Sequence, residues 1–334
     1  MTWKILRSFA TITATAAALY GSIGPAASQD MKIRIGVGID MSHAEWPLIV
    51  EKDFGRRHGL KVEIKPFDTG AGGLDAVMAG QMDIAVVSEL AGLNAASKRG
   101  NIVGLARPWY SGKVGGLAVS KDIKKPEDLI GKTIAVHPAT GSEFFYRFFF
   151  ARKHGLDGKV NVVNVPVPEQ LTALLRGDIQ AASTWYPWLA RLPGIVPGGH
   201  ILETWEGAGY KSQHTMWVSK RFAAENKAAV VAFLKTTRDA IDWANASRDN
   251  WKEMATIAAK AFRIPEDAAL AQLDQQTFTL DLSDELMTDM VTAAKFGNQA
   301  KVLDIADPDK FVPSVYDGSF LKEAVPDRVR LKTQ

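Results

Sequence analysis

The sequence predicts an α/β fold of two similar lobes, with a ligand cleft between them and two hinge crossings. Three observations carry that expectation. The first is an internal repeat: His-Gly-Leu stands at 58–60 and again at 154–156, each closing an amphipathic helical stretch and preceding a β-rich run. Further on, Leu74–Ala85 lines up with Leu171–Ala182, with Leu, Ala, Gly and a later Ala identical in register. The second is an order of strand, loop, helix, strand, loop, helix, Gly, strand in each half, which makes each an α/β lobe and implies a cleft between the two. The third is a pair of apolar runs, Gly115–Ser120 and Gln213–Ser219, read as the outgoing crossing and the returning strand. Two copies are too few for a solenoid, and a small ligand belongs in such a cleft.

The elements follow in order. Lys32–Val37 opens a buried strand, and the loop Gly38–Trp46 leads to a helix over Pro47–His58, ended by Gly59 as a C-cap residue. Lys61–Phe67 alternates as a strand, and Asp68–Gly73 is a glycine-rich turn into the helix Leu74–Ala79. Asp83–Val87 is a strand ending at Ser88-Glu89, a helix runs to about Lys98, and the strand Asn101–Ala106 ends at Arg107–Tyr110. In the second half, Thr133–Val136, Val160–Val165 and Ile179–Thr184 are strands; Glu143–His154 and Pro168–Arg176 are helices. The last of these strands ends at Trp185-Tyr186-Pro187. After Lys220 the pattern turns helical, roughly at 222–247, 249–262, 266–275 and 283–299, in helices expected to lie mainly on lobe one. The expected division is a signal peptide over 1–28, lobe one over 29–117, lobe two over 118–212, and a second, helical part of lobe one over 213–334.

The N-terminus reads as a secretory signal. Lys4 and Arg7 precede an uncharged apolar run over Ser8–Ile23, and Ala26 and Ser28 supply small residues before a cleavage placed ahead of Gln29. Cysteine is absent, so no disulfide framework, thiolate nucleophile or Cys-based metal site exists, and lipidation of an N-terminal Cys is excluded. A soluble periplasmic protein is therefore expected. Loss of Lys4 and Arg7 takes the formal charge from +3 to +1, which gives no electrostatic case for nucleic acid or a membrane surface.

Four blocks together resemble a known family. They are Ile-Arg-Ile-Gly at 33–36, Pro-Glu-Asp-Leu-Ile-Gly-Lys-Thr-Ile-Ala-Val at 126–136, Leu-Leu-Arg-Gly-Asp-Ile-Gln-Ala at 174–181 with Trp-Tyr-Pro at 185–187, and Met-Trp-Val-Ser-Lys-Arg-Phe-Ala-Ala-Glu-Asn at 216–226. In this order and spacing the chain resembles the periplasmic solute-binding proteins of transporters for nitrate, aliphatic sulfonates and taurine. The resemblance implies a type II periplasmic binding protein fold. It also implies a receptor that holds a small solute between its lobes and delivers it to an ABC permease in the inner membrane; the chain is expected to be a monomer. Carried onto this sequence, the family's pocket falls on His43, Glu45 and Trp46, on Ser88 and Glu89, on Thr140, Gly141 and Ser142, and on Trp185 and Tyr186. Two departures stand out: Ala139-Thr140-Gly141-Ser142 replaces the Gly-Thr common in the lobe-two loop, and Glu89 follows the usual small residue.

The residue types suit a small anion or zwitterion. Thr140 and Ser142 precede a predicted helix, where they either cap it or, with its free N–H groups, face an oxyanion. A helix N-terminus contributes about 0.3–1 kcal/mol and each hydrogen bond to a charged group about 1.5–3. Four or five such bonds reach the roughly −8 kcal/mol of a micromolar complex without any basic side chain. Arg107 supplies charge or forms a salt bridge. Glu45 and Glu89, if turned inward, would pair with an amine on the solute; otherwise they are surface carboxylates. Trp46, Trp109, Tyr110, Trp185 and Tyr186 are wall candidates, with core burial the alternative for Trp109 and Tyr110. Gly70–Gly73 fits neither a Walker loop nor a dinucleotide fingerprint and reads as a tight turn.

Catalysis finds less footing. The six histidines show no metal-ligand spacing, and Ser88 and Ser142 lack a nucleophile elbow, so no cofactor or metal is expected. A sulfonate or taurine receptor leads. The alternatives are a cysteine-independent enzyme on this scaffold, a receptor for nitrate, a quaternary amine or a pyrimidine, or a protein presenting its ligand to a chemoreceptor.

Overall fold

The computed structural model describes residues 31–332 except Ala139, so the signal-peptide reading lies outside the described residues. Thirteen strands are described: β1 (Met31–Gly38), β2 (Leu60–Phe67), β3 (Ile84–Ser88), β4 (Ile102–Gly104), β5 (Arg107–Ser111), β6 (Gly115–Val119), β7 (Thr133–Val136), β8 (Asn161–Asn164), β9 (Ala181–Trp185), β10 (His200–Thr204), β11 (Ser212–Ser219), β12 (Thr277–Ser283) and β13 (Val329–Arg330). They form two sheets, β13-β12-β5-β11-β3-β1-β2 with β4 on β11, and β10-β6-β9-β7-β8.

The repeat in the sequence is a repeat in space. β1, β2 and β3 pair in parallel with β1 central, and β7, β8 and β9 do the same around β7. An antiparallel strand then lies beside the third strand of each set, β11 on β3 and β6 on β9. A further antiparallel strand follows, β5 on β11 and β10 on β6. Each sheet thus receives a central strand from the segment that has just crossed from the other. The crossings occupy 112–114 and 205–211 and bond to each other, Trp205 N to Gly115 O at 2.9 Å and Glu206 N to Gly112 O at 2.7 Å.

Both faces of the inner strands are covered by helices, so they read as continuous apolar runs; Ile33, Ile35 and Val37 of β1 and Ile134, Ala135 and Val136 of β7 are all buried. Gly73 explains how closely the helix Gly70–Met78 rides on β1, since a Cβ there would lie 3.0 Å from Gly36 C.

Several expectations need correction. Gly115–Ser120 is not a linker; β6 lies inside the second sheet, so the expected boundary at 117/118 cuts a strand. The run after Asn101 is two strands, because β5 pairs with β11 and β12 after the chain turns at Leu105-Ala106. The C-terminal region is not wholly helical: Thr277–Ser283 alternates apolar and polar residues and adds β12 to the first sheet. The helix expected over Pro47–His58 starts at Glu45, stops at Glu51 and continues as a 3₁₀ segment, Phe54–His58. The helix opening lobe two contains a π segment, Phe145–Phe150.

Candidate functional site

A cavity of about 850 Å³ lies between the sheets, at the carboxyl ends of their parallel strands. Five helices begin at its wall. The residues Thr69–Ala71 open the helix Gly70–Met78, Ser88 and Leu90 flank the start of Glu89–Arg99, and Thr140-Gly141 opens Gly141–Phe144. Val167-Pro168 opens Val167–Arg176, and Pro187-Trp188 opens Trp188–Ile195. The free N–H groups of a helix start favour anions, so their convergence sets several partial positive charges around the cleft.

Of the predicted residues, the cavity brings together His43, Ser88, Thr140, Gly141, Trp185 and Tyr186. Thr140 also acts as a cap: its hydroxyl accepts from Ser142 N at 3.2 Å and donates to His137 O at 2.8 Å. Gly141 sits on the seam of the lobes, where a Cβ would come within 2.9 Å of the Tyr210 hydroxyl and 3.2 Å of Trp205.

The other five do not line it, and the reason is local geometry. Successive helical residues turn by about 100°, so with His43 on the cavity Glu45 points to the far side. Both Glu45 carboxylate oxygens are buried without a hydrogen-bond partner, and burial holds its pKa well above the ordinary value. Trp46 stacks on Phe233, ring centres 5.7 Å apart, inside lobe one. Glu89 turns from the cavity toward the second crossing, accepting from Tyr210 Oη at 3.0 Å and Gln213 N at 3.2 Å; burial lifts its pKa to about 8. Tyr110 alternates with cavity-lining Trp109 along β5 and carries the Arg107 guanidinium at 4.7 Å on its ring. Ser142 is a fully buried clamp, donating to Ser183 O at 2.6 Å and accepting from His137 N at 3.0 Å.

Arg107 resolves as a salt bridge. It makes two 2.9 Å bonds to Asp281 on β12 and a third, at 3.1 Å, to Gln213. The charged residues at the cavity are Asp40, Asp68, Asp75, Lys98 and Arg99, so its lining is not cationic.

Sequence reasoning placed His43 and Trp109 at the cavity but missed His214 between them. His214 faces Ser88 across the β11–β3 ladder, and its ring lies 4.7 Å from His43 and 4.6 Å from Trp109. Trp109 Nε1 donates to Gln276 Oε1 at 2.7 Å, which fixes the outer end of this ladder of rings. Burial pulls the pKa values of His43 and His214 down to about 3, so both imidazoles are neutral near pH 7. His214 Nδ1 lies 3.4 Å from Ser42 Oγ, which bonds Asp40. On the lobe-two side are His137, Trp188 and Trp205, the first with its pKa lowered by burial. Pairing β11 with β3 would have exposed His214 to sequence reasoning; nothing in the local pattern marks Trp205. A smaller crevice, about 570 Å³, lies outside the cleft around Arg147, Arg152 and Lys301 and holds none of the predicted residues.

Two sheets of matched topology, joined by paired crossings beside a cleft, define the class: the periplasmic binding protein fold. Solved structures agree. The periplasmic aliphatic sulphonate binding protein SsuA from Escherichia coli superposes with a TM-score of 0.72 at 16% identity, covering 86% of this chain and 92% of that one. The periplasmic nitrate-binding protein NrtA from Synechocystis PCC 6803 gives 0.70 at 15% identity, with 89% of each chain covered. In sequence, a taurine-binding periplasmic protein of Escherichia coli (strain K12) is 31% identical over 219 residues, 64% of this chain and 67% of its own. Residues 42–250 match the family described as NMT1/THI5 like, and the chain belongs to that family.

Proposed function

We propose that the chain is an extracytoplasmic solute receptor of an ABC importer, closing its lobes on a small organic anion or zwitterion, with a sulfonate or taurine first. The observation that carries this reading is the convergence of five helix starts on one interlobe cavity while the buried Arg107 is spent on Asp281. Fixed dipoles and hydroxyl groups suit a group that stays anionic at every physiological pH, as a sulfonate does. The taurine-binding relative and the sulphonate-binding neighbour favour the same class. A nitrate ion would leave most of an 850 Å³ cavity to water. For taurine the amine cannot go to Glu45 or Glu89, which leaves Asp40, Asp68 and Asp75 at the cavity as its partners. Residence in the periplasm after removal of residues 1–28, a monomeric state and an inner-membrane permease as partner complete the proposal.

The test is a thermal-shift panel on ligand-stripped protein with taurine, alkanesulfonates, aromatic sulfonates, nitrate, choline and pyrimidines. A micromolar ligand at about 100 times its dissociation constant stabilises by about 2.7 kcal/mol. Response to nitrate, choline or a pyrimidine alone would displace the sulfonate reading. Turnover of a binder by the purified protein would replace a receptor with an enzyme.

A further inference from the structure

The cleft is furnished for more than a two-carbon guest. Four of the chain's nine tryptophans, Trp109, Trp185, Trp188 and Trp205, line it. On the lobe-one side, half-buried His214 rests on Trp109 and His43, both buried, with ring centres 4.6 and 4.7 Å away. On the lobe-two side, Trp185 stands edge-on to His137, centres 6.3 Å apart, and Trp188 is backed on one face by Arg191 at 4.8 Å. Trp185, Tyr186 and Trp188 are only half-buried, so part of each ring is free for a guest. The volume, about 850 Å³, is near the top of the range occupied by drug-sized ligands.

Aromatic surfaces on opposite walls of one cleft suit a flat apolar body, because stacked or edge-to-face rings gain contact beyond simple burial. The chain between the amine and the sulfonate of taurine touches little of that area. We infer that the solute carries an aromatic ring beside its oxyanion: an arenesulfonate or arylalkanesulfonate, with the ring between half-buried His214, which His43 and Trp109 back from below, and the Trp185–Trp188 wall. This deepens the proposed function and rests on it for the anionic group. The neutral state of His43 and His214 keeps this side apolar enough for a ring to lie on.

The experiment titrates the full chain, stripped of ligand, with p-toluenesulfonate, methanesulfonate and taurine by calorimetry, alongside the Trp188→Ala variant. p-Toluenesulfonate is expected to bind at least about tenfold more tightly than either small sulfonate, a difference of about 1.4 kcal/mol. Trp188→Ala should weaken p-toluenesulfonate at least about fivefold more than it weakens methanesulfonate; an equal loss for both overturns the ring contact. Equal or tighter binding of taurine or methanesulfonate overturns the ring and leaves the sulfonate receptor standing. Binding of none of the three overturns both.

Discussion

Ser88-Glu89-Leu90 and Trp185-Tyr186-Pro187 are the same corner built twice. Each follows the third strand of a parallel trio, and each abuts an antiparallel strand delivered by a crossing: Ser88 opposite His214, Trp185 opposite Gly115. The first residue of each corner faces the cavity. The second residues part company. Tyr186 stays at the cleft, whereas Glu89 buries its carboxyl against Tyr210 of the returning crossing and Gln213 at the start of β11. Duplication therefore sets where a corner lies, and the side chain decides what it serves. Lobe two gives its corner to the guest, while lobe one divides its own between guest and hinge.

That contrast can be broken in a graded series. Trp185→Ala should cost the most, about 2 kcal/mol or roughly 30-fold in affinity for whichever solute binds, read by calorimetry. Unchanged affinity would remove the residue from the site. Glu89→Ala strands two buried donors and should lower unfolding stability by about 1–3 kcal/mol in urea titrations.

The conservative Glu89→Gln change keeps an acceptor for both donors and isolates the proton. Because the folded pKa is about 8, above the unfolded carboxylate value of about 4.3, the folded state retains a proton the unfolded state releases. That contribution is complete below about pH 4 and is lost as pH climbs through 8. Melting temperatures of the parent should therefore fall relative to Glu89→Gln between pH 5 and 9; parallel curves would reject a protonated hinge acid.

Ser142→Ala, which removes a clamp rather than a solute contact, should lower stability by about 1 kcal/mol or more with affinity changed by less than about threefold. The smallest effect belongs to Tyr110→Phe, with affinity and stability both within error of the parent. A clear loss of binding there would mean that β5 turns its other face to the solute.

Much of the architecture was legible because it rests on period and repetition. The match of Leu74–Ala85 to Leu171–Ala182 foretold two similar α/β lobes, and the two sheets share one topology. Side-chain direction was less legible. A loop assigned to the cleft contributes only some of its residues, since neighbours in a strand point oppositely and a step of two in a helix faces the other way. His43 against Glu45 and Trp109 against Tyr110 divide on that rule. His214 and Arg107 depended on pairings between distant strands, β11 with β3 and β5 with β12, that local pattern does not encode. β12 was hidden because its alternation is only seven residues long amid helices.

Phe296, on the lobe-one helix Asp284–Gln299, stacks on Phe144 of lobe two at 4.6 Å and meets Phe148 at 5.4 Å; none of the three touches the cavity. Any swing of one lobe relative to the other must slide or part these rings. Their grip therefore weighs on how much of the empty receptor is already poised to accept a guest, and measured affinity scales with that fraction. A lineage of such receptors can be retuned from the back of the molecule, by exchanging one phenyl group, with every contact to the cargo left as it was.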